Sequence, residues 1–280
     1  MLKRGAFRRL YVLGLLGGIL SAPVAGHAAP PEFSHDLYDR VLKEYVVDGR
    51  VDYARLKGNR SDLDRHISEL ARLDPKLYEK WEGSAQIAFW INAYNAITLK
   101  VILDHYPIQR SSSPASLVFP ANSIRQIPGA WDQITHPVMG RPMTLDQIEH
   151  EVLRKRFKEP RIHMALVCAA QGCPLLRSEV YMGQRLNEQL DDQARRFLEN
   201  PAKFRMDRKQ RLVRLSPIFQ WFGQDFLIAY GLPEGFAGHA DAERAVLAFA
   251  SRYLASDDRA FLQDGNYRIA YLGYDWRLNQ

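Results

Sequence analysis

Residues 84–105 are apolar on nearly every side. Ile87, Ile91, Tyr94, Thr98 and Ile102 recur every three or four residues, and Ala88, Trp90, Ala93, Ala96, Ile97, Leu99 and Val101 fill the positions between them. That period predicts a helix, and a helix without a polar face has to be enclosed by other elements. Pro107 stops it, because proline has no amide hydrogen to continue the ladder. The chain must therefore wrap around this one rod.

The other segments offer single apolar faces. Residues 35–47 align Leu37, Val41 and Tyr45. Ser61 is placed to cap a helix carrying Leu63, Ile67 and Leu70, with Asp74-Pro75 ending it. Thr144 and Gln147 form a capping box ahead of Leu145, Ile148, Val152 and Leu153. Leu186, Leu190, Ala194 and Phe197 mark another helix, Ser216-Pro217 opens one with proline at its first position, and residues 240–254 form a further one. Strand signals are short: Val51-Asp52-Tyr53, a hairpin over 134–143 around Met139-Gly140, a polar hairpin over 204–215, and alternation over 267–274. Residues 162–168 are an apolar run between breakers, which predicts a buried strand. Helices and strands do not alternate regularly. The expectation is a single α+β domain over residues 29–280, mainly helical, with a buried central helix and a small, mostly antiparallel sheet.

The N-terminus reads as a secretory signal. Lys3, Arg4, Arg8 and Arg9 form a basic start without an acid, residues 10–20 are apolar but short for a bilayer, and Gly26 and Ala28 sit where a signal peptidase needs small side chains. Residues 1–28 are thus expected to be removed after Ala28, leaving a periplasmic or secreted protein; a retained anchor is the alternative. Of the 38 basic residues four lie in this segment, so the remainder carries 34 against 32 acids, a net of +2. No basic run follows, which argues against nucleic acid as a partner, and no later segment is apolar enough to span a membrane.

Both cysteines, Cys168 and Cys173, lie in one stretch, with His163 five residues before the first. A nucleophilic thiol needs exposure, a lowered pKa and a nearby base. Cys173, in a loop after Gly172, meets the first condition, and a glycine there would let backbone amides approach an oxyanion. Within a strand His163 and Cys168 would face opposite sides, so Cys173 folding back is the more direct partner of His163. His150 and Glu149 lie on the preceding helix, about 100° apart, so neither automatically orients the other. Asn92 and Asn95 sit on the apolar helix, where a buried amide must find partners; they tie the helix to loop backbone, or they line a pocket and orient a histidine or a ligand. The alternatives for the cysteines are a disulfide between them, one catalytic thiol, or two inert thiols. Cys-x₄-Cys departs from the Cys-x-x-Cys of thiol oxidoreductases and lies at the edge of zinc spacings. Without a His-Glu-x-x-His, a phosphate-cradling loop or a Gly-x-Ser-x-Gly elbow, no cofactor and no metal are expected.

Four motifs together carry a resemblance: Phe89-Trp90-Ile91-Asn92-Ala93-Tyr94-Asn95-Ala96, Leu145-Asp146-Gln147-Ile148-Glu149-His150, the segment from Arg161 through His163, Cys168 and Gly172 to Cys173-Pro174, and Tyr274-Asp275-Trp276-Arg277-Leu278-Asn279. In this order, from Gln86 to the C-terminus, they resemble the DUF547 family. Bacterial members of that family are typically exported, and the resemblance implies no established activity. At the level of fold analogy the chain is also distantly similar to papain-like and transglutaminase-like thiol enzymes.

The functional expectation is a thiol-dependent hydrolase or acyltransferase acting on an amide or ester bond. Cys173 is the first choice of nucleophile and Cys168 the second, His163 the base with His150 in reserve, and Glu149 or Asn92 the orienter. The competing expectation is a non-enzymatic periplasmic binding or assembly protein in which a Cys168–Cys173 disulfide pins a loop. Substrate, protein partner and oligomeric state are not specified by these residues.

Overall fold

A computed structural model describes residues 31–280. The signal segment expected over residues 1–28 lies outside the described residues. The predicted central rod is α5, Gly83–His105, and sixteen of its residues from Ala85 to Leu103 are buried. Around it pack α1 (Asp36–Tyr45), α2 (Tyr53–Gly58), α3 (Ser61–Arg72), the short α4 (Pro75–Tyr78), and a wide π-type helix over Gln147–Phe157. The capping box at its start forms as expected: Thr144 N–H donates to Gln147 Oε1 at 2.9 Å and Gln147 N–H to Thr144 Oγ1 at 3.1 Å. Ser61 does not cap α3; the helix begins on Ser61 itself, and Asp74 caps α4 by accepting from the Lys76 amide.

A second core lies C-terminal to the first. It is built from α6 (Leu186–Glu199), α7 (Pro217–Tyr230), α8 (Asp241–Ser251) and α9 (Ser256–Asp264). The strands are small. β1 (Val46–Val47) pairs with β2 (Arg50–Val51), and β3 (His136–Val138) pairs with β4 (Arg141–Met143), each antiparallel. β5 (Phe204–Asp207) and β6 (Leu212–Leu215) form the expected polar hairpin, and β7 (Arg268–Tyr271) adds to β6 in parallel. The α+β class, the buried helix and the predominantly antiparallel pairing all hold. Among the described residues no helix is long and apolar enough to cross a membrane.

One expected element is absent. Residues 162–168 are not a strand: Pro160–Met164 is a 3₁₀ turn, and the chain then runs irregularly to Cys168. Turn hydrogen bonds and side chains satisfy its backbone groups instead of a neighbouring strand, with Gln193 Nε2 donating to Met164 O at 3.0 Å. Asn95 on α5 donates from Nδ2 to Ala165 O at 3.0 Å and accepts the Val167 amide on Oδ1 at 2.9 Å. Asn92 clasps Tyr181 in the same two-point way, at 2.8 and 2.9 Å. Both buried amides thus do what a ladder would do, which keeps their burial from costing about 1–3 kcal/mol per unpaired group.

His66 on α3 is fully buried, stacked on Tyr38 at 5.3 Å, and neither ring nitrogen has a hydrogen-bond partner among the described residues. Burial pushes its pKa down to about 3. The folded state therefore holds a neutral ring while the unfolded chain takes up a proton below about pH 6.5. Stability is retained above that pH and lost on acidification toward pH 3, at up to about 1.4 kcal/mol per pH unit from this residue. In urea unfolding between pH 7 and pH 4, His66→Phe should flatten the loss of stability by that slope. Equal slopes in the two proteins would contradict this assignment.

Candidate active site

The π-type helix, the 3₁₀ turn and α7 converge on a cavity of about 470 Å³ between the two cores. Five of the six residues singled out from the sequence line it: Glu149, His150, His163, Cys168 and Cys173. Asn92 is not among them, because its amide is fully engaged by the Tyr181 backbone.

The 3₁₀ turn straddles the two cores: Ile162 belongs to the first and Met164 to the second. His163 lies between them, buried, with its ring stacked on Phe222 at 3.9 Å. Its Nε2 is 2.8 Å from Asp225 Oδ2. Asp225 also accepts from Arg154, Nε to Oδ2 at 2.6 Å and Nη2 to Oδ1 at 2.8 Å. Burial alone would raise the Asp225 pKa; the hydrogen bonds from Arg154 and His163 outweigh it and hold the carboxyl well below its usual range. An ionised Asp225 accepts, so Nε2 carries the proton and Nδ1 of the neutral ring keeps its lone pair. The His163 pKa is lowered by burial, and the opposing pull of Asp225 offsets this only in part. The imidazole is therefore a neutral base at neutral pH.

Asp225 had no place in the sequence reading. The signal was present: it is the one charged residue of Pro217–Tyr230, an otherwise apolar helix. An acid in that setting requires a cationic or hydrogen-bonding partner.

Cys168 and Cys173 form a disulfide. Cys173 is 2% exposed and Cys168 is half-buried. Cys173 Sγ accepts the Cys168 amide at 3.1 Å, and the Tyr274 hydroxyl lies 3.2 Å from each sulfur. The loop between the cysteines is held by the C-terminal strap: Gln171 N–H donates to Arg277 O at 2.8 Å and Gly172 N–H to Asp275 O at 2.7 Å. Gly172 is there for space. A Cβ on it would stand 2.7 Å from the Tyr274 ring, and its amide is already taken, so it offers no donor to an oxyanion as the sequence suggested. Behind the loop Lys203, only 4% exposed, donates from Nζ to Gln171 O at 2.6 Å, and burial pushes its amine down to about 8.

Glu149 and His150 both face the cavity but make no hydrogen bond to each other. Burial raises Glu149 to about 7, against the opposing influence of Tyr94 and Arg154. His150 Nδ1 is 3.1 Å from Arg154 Nη1, and burial followed by that guanidinium lowers its pKa. Among the described residues no cluster of three His, Cys, Asp or Glu is placed to hold a metal.

Residues 78–198 match the family described as "Protein of unknown function, DUF547". The match covers less than half of the chain, and over it the chain is similar to the family that its motifs resemble. The match spans α5, the π-type helix, the cysteine segment and α6. It ends before α7 and the C-terminal strap, so Asp225 and Tyr274 come to the cavity from outside it. No curated protein and no solved structure matches the chain.

Removing the Asp225 carboxylate tests the dyad. In Asp225→Asn the attraction that raises the His163 pKa disappears while burial and Arg154 remain, so the ring should titrate at still lower pH. Two-dimensional NMR of the imidazole carbons reads this directly. A rise, or no change, would show that Asp225 does not govern the His163 proton.

Proposed function

We propose that this protein is a thiol-dependent hydrolase or acyltransferase for an amide or ester bond, latent while Cys168 and Cys173 are joined and released by reduction. One observation carries the reading: a single cavity contains both sulfurs and an imidazole whose Nε2 is bonded to an ionised carboxylate. Those are the groups that thiol catalysis uses as nucleophile, base and orienter.

We assign the attack to Cys168, because it retains more exposure than Cys173. Two electrons and two protons from an external dithiol convert the disulfide to two thiols. His163 Nδ1 takes the Cys168 proton, and the thiolate adds to the acyl carbon. The C–N or C–O bond breaks, the leaving amine or alcohol takes the proton from His163, and a thioester remains. Water, or an acceptor amine or alcohol, is then deprotonated by His163 and releases the acyl group. Cys173, whose sulfur accepts from the Cys168 amide and sits beside the Tyr274 hydroxyl, is stabilised as the thiolate that departs when the disulfide is opened. Export, read from residues 1–28, fits a chain that closes its cysteine pair.

The closed disulfide itself favours a second reading, a binding protein whose loop the disulfide pins. The two diverge on reduction. With 4-nitrophenyl acetate as acyl donor, dithiothreitol should raise wild-type turnover by more than tenfold. Cys173→Ser should turn over without reductant, and Cys168→Ser should stay inactive under both conditions. Turnover that ignores reduction, or that survives in Cys168→Ser, would remove this mechanism. Reduction that lowers stability by about 2 kcal/mol, as expected for a short closed loop, without exposing any turnover would establish the binding protein instead.

A further inference from the structure

The cavity has a cation that the mechanism does not use. Arg125 lines it, on the loop between α5 and β3. Its guanidinium lies over three aromatic rings, 4.5 Å from the centroid of Phe119, 5.2 Å from Trp276 and 5.5 Å from Trp131. These rings support one another: Phe119 meets Trp276 edge-on at 5.8 Å, and Trp131 meets Trp276 edge-on at 6.3 Å. The Arg125 side chain makes no hydrogen bond or ion pair with any described residue; only its backbone amide is engaged, by Ser123 Oγ. Most of the other arginines in the neighbourhood are tied to carboxylates, as Arg154 is to Asp225 and Arg277 to Asp275.

We infer that Arg125 is the specificity determinant of this cavity and pairs with a carboxylate carried by the substrate. This rests on the thiol reading for the reaction, but the anion subsite stands on its own geometry. Cation–π contact draws on the charge of a guanidinium and uses none of its N–H donors as hydrogen bonds to a carboxylate, so the fork is left for a ligand. The fork matches the two oxygens of a carboxylate, and the three ring contacts draw an otherwise exposed side chain toward the cavity. The other charges nearby narrow the class. Asp132, Asp146 and Glu149 line the same cavity; Arg125 neutralises a single carboxylate but leaves a phosphate monoester with an uncompensated charge beside these acids, and the cost of desolvating an ion grows with the square of its charge. Trp221, 48% exposed and 4.9 Å from the Tyr274 ring, extends an apolar wall toward the sulfurs. The favoured acyl donor is therefore a compact ester or amide with one free carboxylate and an apolar stretch between the two groups.

The experiment uses the full chain, reduced, with mono-4-nitrophenyl glutarate and its methyl ester as a matched pair. The wild-type protein should prefer the free acid at least tenfold in kcat/KM. Arg125→Gln should bring that preference to about one, through a rise of about 10- to 100-fold in KM for the free acid, the scale of one charge-assisted hydrogen-bonded pair. Arg125→Lys should recover part of the preference, which a purely structural role would not predict. A wild-type protein that favours the methyl ester, or an Arg125→Gln variant that keeps the preference, would overturn the assignment. If neither ester is turned over, the thiol reading fails and the subsite is judged separately with monomethyl glutarate, followed by tryptophan fluorescence from Trp131 and Trp276. Saturable quenching in the wild type that is lost in Arg125→Gln supports the subsite; its absence in the wild type, or its persistence in the variant, removes it.

Discussion

The hydrogen bonds between Asn95 and the backbone at Ala165 and Val167 are the constraint from which the site follows. A segment that is neither helix nor strand runs through the first core here, and its amides and carbonyls would be orphaned there without partners. One asparagine on α5 supplies a donor and an acceptor at 3.0 and 2.9 Å. This fixes the residues just ahead of Cys168 and just after His163 relative to the most deeply buried helix of the protein. Asn92 does the same for Tyr181. The two asparagines are structural residues, yet the position of the sulfur and the imidazole depends on the first of them.

The cavity exists because the two cores meet imperfectly along that segment. His163 reaches across the junction to Asp225 on α7, and Arg154 of the π-type helix reaches the same carboxylate. An acid shared by two cationic or polarisable partners is stabilised as the anion, which compensates for its partial burial. Phe222 lies against the His163 ring and under the Arg154 guanidinium, so the charged group is walled by aromatic surface as well as paired. On the opposite wall the C-terminal strap brings Tyr274 against both sulfurs and leaves room for its ring only because residue 172 is glycine.

Much of the fold was legible. A helix apolar all round cannot be anything but central, and α5 is. The capping box at Thr144 and Gln147, the turn at Met139-Gly140 and the proline start of α7 are local chemistry, decided by residues within a few positions of one another. The misreading at residues 162–168 has an equally clear origin. A short apolar run says only that a segment is buried, and burial is compatible with any backbone whose polar groups are satisfied; here part of the satisfaction came from Asn95, 70 or more residues away, and part from Gln193 and local turns. Glu149, His150, His163 and the cysteines were recognisable because reactive side chains stand out by type. Asp225, Arg125 and Tyr274 were not, because each acts through partners distant in the chain.

By itself the sequence determined the long helices, which segments must be buried, and which side chains have chemistry to offer, because these depend on composition, period and near neighbours; the short α2 and α4 and the terminal α9 carry too little periodic signal to be read that way. Tertiary structure alone decided that His163 and the two sulfurs share one cavity, that Asp225 orients the imidazole, and that Arg125 is left without a carboxylate. Those are distances between residues tens of positions apart, fixed by how two cores pack against each other and not by any pattern along the chain.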